Sequence, residues 1–261
     1  MDAFCEETTE AAALRANADV LNMRAFAYNW FQSVFGNQPT ADSLAWLTDE
    51  STLSALEIFF QDVPRQAEPD NPAACAHTLG CAASQSHFPD QAVADAFSYF
   101  GNLDSEESSV EELADSYTRL FLGPGIVPLK HWESVYVRGD NALFQPSTLE
   151  VRRAYVECGY LHRGYPHVAD DHIGIELDFM AALAGDIASC QESGNLKEAG
   201  RLVRASSGFL DLHLLRWAPA YEAAASHLEK RYDFWKHAST LLKSFLSTDR
   251  VLLGDLEEIL R

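Results

Sequence analysis

The stretch ADDHIGIELDFM, residues 169–180, decides the fold class. From residue 173 onward its apolar residues recur at steps of three and four, which is the spacing of one face of an α-helix. These positions are Ile173, Leu177, Met180, Ala181 and Ala184. Phe179 and Leu183 add apolar residues to a second face. The sequence therefore predicts a helix that is buried on more than one side, with its polar residues toward its start.

Four polar residues open this helix: Asp170, Asp171, His172 and Glu176. Asp170 or Asp171 is predicted to cap it, because a carboxylate there accepts free backbone N–H groups of the first turn. His172 and Glu176 are four residues apart, so they share a face and can touch. The residues alone allow a metal site, an acid/base pair, a cap with an internal His172–Glu176 hydrogen bond, or an acidic notch for a basic peptide.

Motif spacing weakens the metal and acid/base interpretations. Di-iron bundles use Glu-x-x-His pairs and zinc proteases use His-Glu-x-x-His, and neither spacing occurs in this stretch. No nucleophile elbow or glycine-rich phosphate loop accompanies it. A metal-dependent or acid/base hydrolase using Asp171, His172 and Glu176 stays an alternative hypothesis, as does a purely structural helical module.

Helical periodicity extends along the rest of the chain. Segments 20–34, 110–121 and 151–158 repeat it, and residues 134–137 are the one short stretch with the alternation of a strand. We expect an all-α protein, a single globular domain of about ten helices. The domain spans residues 1–261, with an N-terminal helical half at about 1–122, a loop at 123–146 and a C-terminal helical half at about 147–261. The tail from about residue 232 is expected to pack as one or two amphipathic helices.

Local signals mark several helix ends. Capping boxes are predicted at Ser109 with Glu112 and at Ser147 with Glu150. Helix ends are predicted at Gly159 and Gly194.

Composition excludes several classes of protein. Hydrophobic residues make up 47% of the 261 residues, which is too many for a disordered chain. Acids outnumber Lys plus Arg by 39 to 19, and the net charge of -20 disfavours nucleic acid and anionic membranes while it attracts cationic partners. The N-terminus is acidic and lacks an apolar signal region, and no stretch reaches the roughly 20 apolar residues of a membrane span, so we expect a cytoplasmic protein.

Cysteine spacing gives no sign of a disulfide framework. The five cysteines are irregularly spaced and form no C-x-x-C, so reduced thiols are expected. Cys75 and Cys81 lie near His77 and His87, but the spacing matches no zinc pattern.

Two irregular stretches interrupt the helices. Residues 62–90 contain four prolines and are predicted to form a long connection. Residues 123–136, GPGIVPLKHWESVY, are predicted to form an ordered loop that carries Trp132 and Tyr136. Such a loop either contributes to a binding site or packs its Trp into the core, and the sequence allows both interpretations.

Three stretches in this order resemble one protein family: YTRLFLGPGIVPLKHWESVY at 117–136, DDHIGIELDFMAAL at 170–183 and FLDLHLLRWAPAY at 209–221. They are similar to the motifs of the TorD/DmsD/NarJ family of redox-enzyme maturation chaperones. The resemblance runs from about residue 15 to about residue 230. It implies an all-helical chaperone that binds the catalytic subunit of a molybdopterin oxidoreductase, often at its N-terminal twin-arginine signal peptide, and holds it for cofactor insertion before export.

The resemblance also implies that no reaction is catalysed, and we expect no cofactor. The charge and the lack of a long apolar run predict no nucleic-acid partner and no stable membrane insertion. We expect a monomer or homodimer. A twin-arginine peptide offers two guanidiniums followed by an apolar segment, so a binder needs carboxylates and an apolar groove.

Carried over by position, the resemblance implies a peptide-binding site made of Tyr117, Leu120, Phe121, Gly123, Pro124, Pro128, Trp132, Glu133, Ser134, Asp171, His172 and Glu176. We expect Asp171 and Glu176 to favour the arginines and His172 to orient these carboxylates or to donate to the peptide backbone. The apolar part is expected to be lined by Trp132, Leu120 and Phe121. Packing roles are expected for His213, Trp217 and Pro219.

The chain departs from the family pattern in two places. Val168-Ala169 precedes the Asp-His pair where Glu or Pro is common, and Lys130-His131 stands where prolines commonly precede the aromatic residue.

Overall fold

The computed structural model describes residues 17–62, 90–103, 107–123, 127–138, 146–165 and 167–261. Within these ranges the chain is almost entirely helical and forms no β-strand, only one isolated antiparallel bridge between Trp132 and His172. The prediction of a single all-α domain of about ten helices is confirmed. The predicted 62–90 connection, with Cys75, Cys81 and their neighbouring histidines, lies outside the described residues apart from its ends.

Eleven α-helical segments lie in the described part of the chain. They are α1 (Ala18–Gly36), α2 (Ala41–Thr48), α3 (Glu50–Asp62), α4 (Gln91–Gly101), α5 (Glu107–Tyr117), α6 (Glu133–Arg138), α7 (Pro146–Glu157), α8 (Ile173–Ser193), α9 (Leu196–Phe209), α10 (Leu215–Ser226) and α11 (Asp233–Ile259). A π-helical segment, Thr118–Leu122, continues α5, and a second, Leu210–Leu214, joins α9 to α10. A short 3₁₀ turn, Lys230–Tyr232, precedes α11.

The glycine signals at helix ends are confirmed, and the serine signals are not. Gly159 and Gly194 have positive φ angles of 72° and 71°, the left-handed conformation that glycine adopts without strain. Ser109 lies inside α5, which is already helical at Glu107, so it is not the predicted cap. Ser147 also lies inside its helix, because α7 begins at Pro146, a residue suited to the first helical position.

Helix α8 lies in the middle of the core and is buried on several sides, as its two apolar faces predict. Helices α1 and α9 pack against it. Where α1 crosses the start of α8, Gly36 and Gly174 bring the two backbones together, and a Cβ on Gly174 would lie 2.6 Å from Gly36 Cα. The groove described below begins at this crossing.

The C-terminal tail packs against the body of the protein, as expected. It forms one helix of 27 residues, α11, which lies against α1, α4, α9 and α10. A buried ion pair fastens it to α1: Arg24 Nε donates to Asp249 Oδ1 at 2.6 Å, and Tyr28 Oη donates to Asp249 Oδ2 at 2.6 Å. Neither Arg24 nor Asp249 is exposed, so α1 and α11 are held together by charges shielded from water.

Candidate functional site

The aromatic loop is attached to the start of α8 by main-chain hydrogen bonds. Glu133 N donates to Asp171 O at 3.0 Å, and Ile173 N donates to His131 O at 2.9 Å. These two bonds form the isolated bridge between Trp132 and His172. The loop and the Asp-His motif, distant in sequence, are therefore one structural unit.

Asp171 caps a different helix from the one predicted. Its Oδ2 accepts a hydrogen bond from Ser134 N at 3.0 Å, which places this carboxylate at the first turn of α6. His172 is the N-cap of α8, because its Nδ1 accepts from Gly174 N at 3.1 Å. The prediction that Asp170 or Asp171 caps α8 is wrong. Residues 134–137, the one stretch with the alternation of a strand, are helical, which agrees with the all-α prediction.

Asp170 connects α8 to α7. Its Oδ2 accepts two hydrogen bonds from the Arg152 guanidinium, at 3.0 and 2.5 Å, and its carbonyl accepts one from Tyr155 Oη at 2.9 Å. Asp170 is thus occupied by a partner that the local motif did not indicate.

Glu176 and His172 do not form the hydrogen bond considered from the sequence. Glu176 Oε2 accepts from Trp217 Nε1 at 3.2 Å, and Glu133 Oε2 accepts from His213 Nδ1 at 2.9 Å. His213 and Trp217, expected only to pack, are therefore hydrogen-bonded to buried acids.

Burial raises the pKa of Glu176 well above its usual range, and the nearby charges of Glu133 and Asp171 raise it further. Both effects favour the protonated form of Glu176. A neutral Glu176 reduces the charge that would otherwise accumulate among three buried carboxylates. We call Glu133, Asp171 and Glu176 the acid cluster.

Two neutral histidines complete the junction. His131 Nε2 donates to Leu120 O at 3.0 Å, and its Nδ1 accepts from Tyr221 Oη at 2.9 Å. Burial lowers the pKa of His131 well below its usual range and that of His172 to about 4. The His131 ring stacks on Phe121 with a centroid distance of 3.7 Å, so the residue that departs from the family pattern joins the loop to the first π segment.

A groove of about 770 Å³ lies beside this junction. One wall is formed by Tyr117, the last residue of α5, and by Phe121 and Leu122 of the first π segment. The other wall is the strap, which we define as residues 160–165, together with Val168. His172, Ile175 and Asp178 of α8 also line the groove. Asp178 is partly exposed and accepts a hydrogen bond from Tyr160 Oη of the strap.

The profile of a family described as nitrate reductase delta subunit matches residues 88–223, more than half of the chain. The chain belongs to this family. It is the TorD/DmsD/NarJ family indicated by the three sequence motifs.

Several members of the family can be compared with the chain directly. The chaperone protein TorD of Vibrio cholerae serotype O1 is 26% identical over 155 residues, which are 59% of this chain and 68% of that protein. The Tat proofreading chaperone DmsD of Salmonella typhi is 32% identical over 113 residues, 43% of this chain and about half (48%) of DmsD. TorD of a Psychrobacter species is 24% identical over 236 residues, 90% of this chain and 93% of that protein. Because these relatives are named chaperones, they support a chaperone role.

The structure separates the family's motif residues into two groups. Tyr117, Phe121 and His172 line the groove. Leu120, Ser134 and all three members of the acid cluster are buried beneath it, with no appreciable exposed surface. Of the remaining residues, Trp132 packs edge-on against His172, Gly123 ends the π segment and Pro128 is exposed, while Pro124 lies outside the described residues.

Sequence reasoning missed most of the groove's surface. Leu122, Leu161 and Val168 are 66%, 70% and 39% exposed, and none was predicted. Asp178 was also missed, although a signal was present: His172, Ile175 and Asp178 follow one another at three-residue steps and so lie on one face of α8.

Two kinds of feature are absent from the described ranges. No set of three or more His, Cys, Asp or Glu side chains is placed to hold a metal ion there. In the same part of the chain, no helix is both long and apolar enough to cross a membrane.

Proposed function

We propose that this chain is a cytoplasmic assembly chaperone that binds the twin-arginine signal peptide of a molybdopterin oxidoreductase subunit in the groove. It holds the apo-subunit for cofactor insertion before export. The observation that carries the proposal is a groove of about 770 Å³ that is lined by exposed apolar residues and by a carboxylate, Asp178, on a chain of this family.

The apolar side chains at the groove suit the segment that follows the arginines. Leu122, Leu161 and Val168 are exposed apolar residues that line the same cavity. Covering them contributes about 25 cal/mol per Å² of apolar surface removed from water.

The charges suit a guanidinium at Asp178. The net charge of -20 attracts a cationic peptide from a distance. His172 stays neutral at pH 7, since its pKa is about 4, and it adds no positive charge to the groove. Its Nδ1 accepts the α8 capping bond, so Nε2 carries the proton and can donate to a peptide carbonyl.

Asp171 and Glu176 then serve as positioning residues. Both are buried, and both are hydrogen-bonded to the loop or to α10. We propose that Asp178, rather than these two, contacts the arginines, and that the acid cluster fixes the groove wall.

Isothermal titration calorimetry with a synthetic peptide, Arg-Arg followed by apolar residues, tests the assignment. Asp178→Asn keeps an oxygen for Tyr160 and removes one charge, so we expect a loss of about 1–2 kcal/mol, roughly five- to thirtyfold in Kd. Asp186→Asn removes the same charge from an exposed residue of α8 outside the groove and should bind like the parent.

Arg163 gives a test of opposite sign. It is exposed and lines the groove, so Arg163→Gln should tighten binding. If Asp178→Asn and Asp186→Asn bind equally well, the arginine contact is assigned to the wrong residue. If the parent binds no twin-arginine peptide, the signal-peptide part of the proposal fails.

A further inference from the structure

A second, smaller cavity lies on the other side of the strap from the groove. Its volume is about 200 Å³, and it opens between the strap and α7. Val156, Leu161 and Tyr165 line it and are 67%, 70% and 44% exposed. We call it the side pocket.

The charged groups of the side pocket are already paired with each other. Arg152 donates two hydrogen bonds to Asp170, and its guanidinium carbon lies 4.9 Å from the centroid of the Tyr165 ring. The side pocket thus offers no free charge to a ligand. The remaining ionisable residue of the side pocket, His162, is buried, and the His162 Nε2 atom lies 3.3 Å from Asp170 Oδ1. Tyrosine rings and aliphatic side chains make up the rest of the lining, so the favoured occupant is apolar.

The groove and the side pocket share Tyr160, Leu161 and His162 of the strap, so the two cavities adjoin each other there. The exposed Leu161 therefore joins two apolar surfaces into one path. A chain lying in the groove needs only to cross the strap to place a side chain in the side pocket.

We propose that the side pocket binds one apolar side chain of the client peptide, downstream of the residues held in the groove. This inference rests on the proposed function, because the peptide is the one that the groove binds. Its small volume fits a single side chain, whereas a folded partner would need a broader surface.

Two peptides separate the side pocket from the groove. The short peptide carries Arg-Arg and about four apolar residues, and the long one about ten, because an extended chain advances roughly 3.4 Å per residue. The parent protein should bind the long peptide more tightly than the short one in calorimetry.

Two matched variants then locate the difference. Val156→Gln makes the side pocket polar without changing the net charge. Leu212→Gln makes the same kind of change at a residue of similar exposure, 61%, outside the side pocket. Val156→Gln should weaken binding of the long peptide about fivefold to tenfold and leave the short one unchanged. Leu212→Gln should leave both unchanged.

The possible results separate failure of the side-pocket assignment from failure of the proposed peptide binding. If the parent binds both peptides and Val156→Gln behaves like Leu212→Gln, the side-pocket assignment is overturned and the proposed function stands. If the parent binds neither peptide, both fail. If the parent forms a concentration-dependent dimer that Val156→Gln abolishes, the side pocket belongs to a second copy of the chain, and the inference is wrong.

Discussion

Gly174 offers the sharpest test of the fold, because α1 and α8 meet backbone to backbone at this residue. A Cβ at position 174 would lie 2.6 Å from Gly36 Cα and 3.1 Å from both Gly36 N and Phe35 O. These atoms belong to the main chain and cannot rotate aside, so the helices must separate. We predict that Gly174→Ala lowers the free energy of unfolding by about 1–3 kcal/mol, the typical cost of overpacking a core.

Gly185 provides the matched control on the same helix. A Cβ at Gly185 would meet no atom within 4 Å. Alanine loses less backbone entropy than glycine in a helix, so Gly185→Ala should raise stability by about 0.5–1 kcal/mol. The two substitutions add the same methyl group to α8 and should change stability in opposite directions.

Urea denaturation followed by far-ultraviolet circular dichroism measures both changes as shifts in midpoint at constant slope. In thermal unfolding, each kcal/mol corresponds to about 2–4 °C for a chain of this size. Gly174 also lines the groove, so Gly174→Ala should weaken peptide binding and Gly185→Ala should not. Equal stability of the two variants would refute the close contact between α1 and α8.

Three further changes test buried groups by urea denaturation. Asp249→Ala should lower the free energy of unfolding by about 3–5 kcal/mol, because it leaves the Arg24 guanidinium buried without its partner. A variant as stable as the parent would show that the pair is not buried as described. Glu176→Gln should make stability less sensitive to pH. Burial raises the pKa of Glu176 in the folded state above its value in the unfolded state. The parent therefore loses stability as the pH rises from the unfolded pKa to the folded pKa; if the stability of the parent and of the variant changed in parallel from pH 5 to 8, this explanation would be wrong. Ser147→Ala should change stability by less than about 1 kcal/mol, since this buried hydroxyl has no hydrogen-bond partner within the described residues, and a larger loss would reveal one.

The helices were predictable because their signals are local. The apolar stripe that starts at Ile173 predicted α8, and Gly194 predicted its end. Helix starts were harder to predict, because distant residues decide some of them. Residues 134–137 alternate like a strand, yet a carboxylate 37 positions later in the chain, Asp171, caps them as a helix. No window of the sequence around residue 134 contains that information.

The proximity of the aromatic loop to the start of α8 was predictable, but the hydrogen-bond partners of its side chains were not. The motifs correctly brought the aromatic loop and the start of α8 together. They could not show that Glu176 is bonded to Trp217, or that Glu133 is bonded to His213, because each pair is separated by at least 41 residues. The same tertiary contacts determine which residues are buried and which, like Leu161, are exposed to a ligand.

A chaperone has to release its client, and this bears on why the acid cluster is buried. Moving a guanidinium into the cluster would strip water from both partners, and truncating either partner of such a pair is costly. Binding of that kind tends to dissociate slowly. A partly exposed carboxylate such as Asp178 gives a weaker contact that is screened by salt and reverses readily. The raised pKa of Glu176 favours its neutral form, which limits the charge buried among these three carboxyl groups. The buried acids therefore suit a permanent structural role, and reversible recognition of arginine is better served by the exposed one.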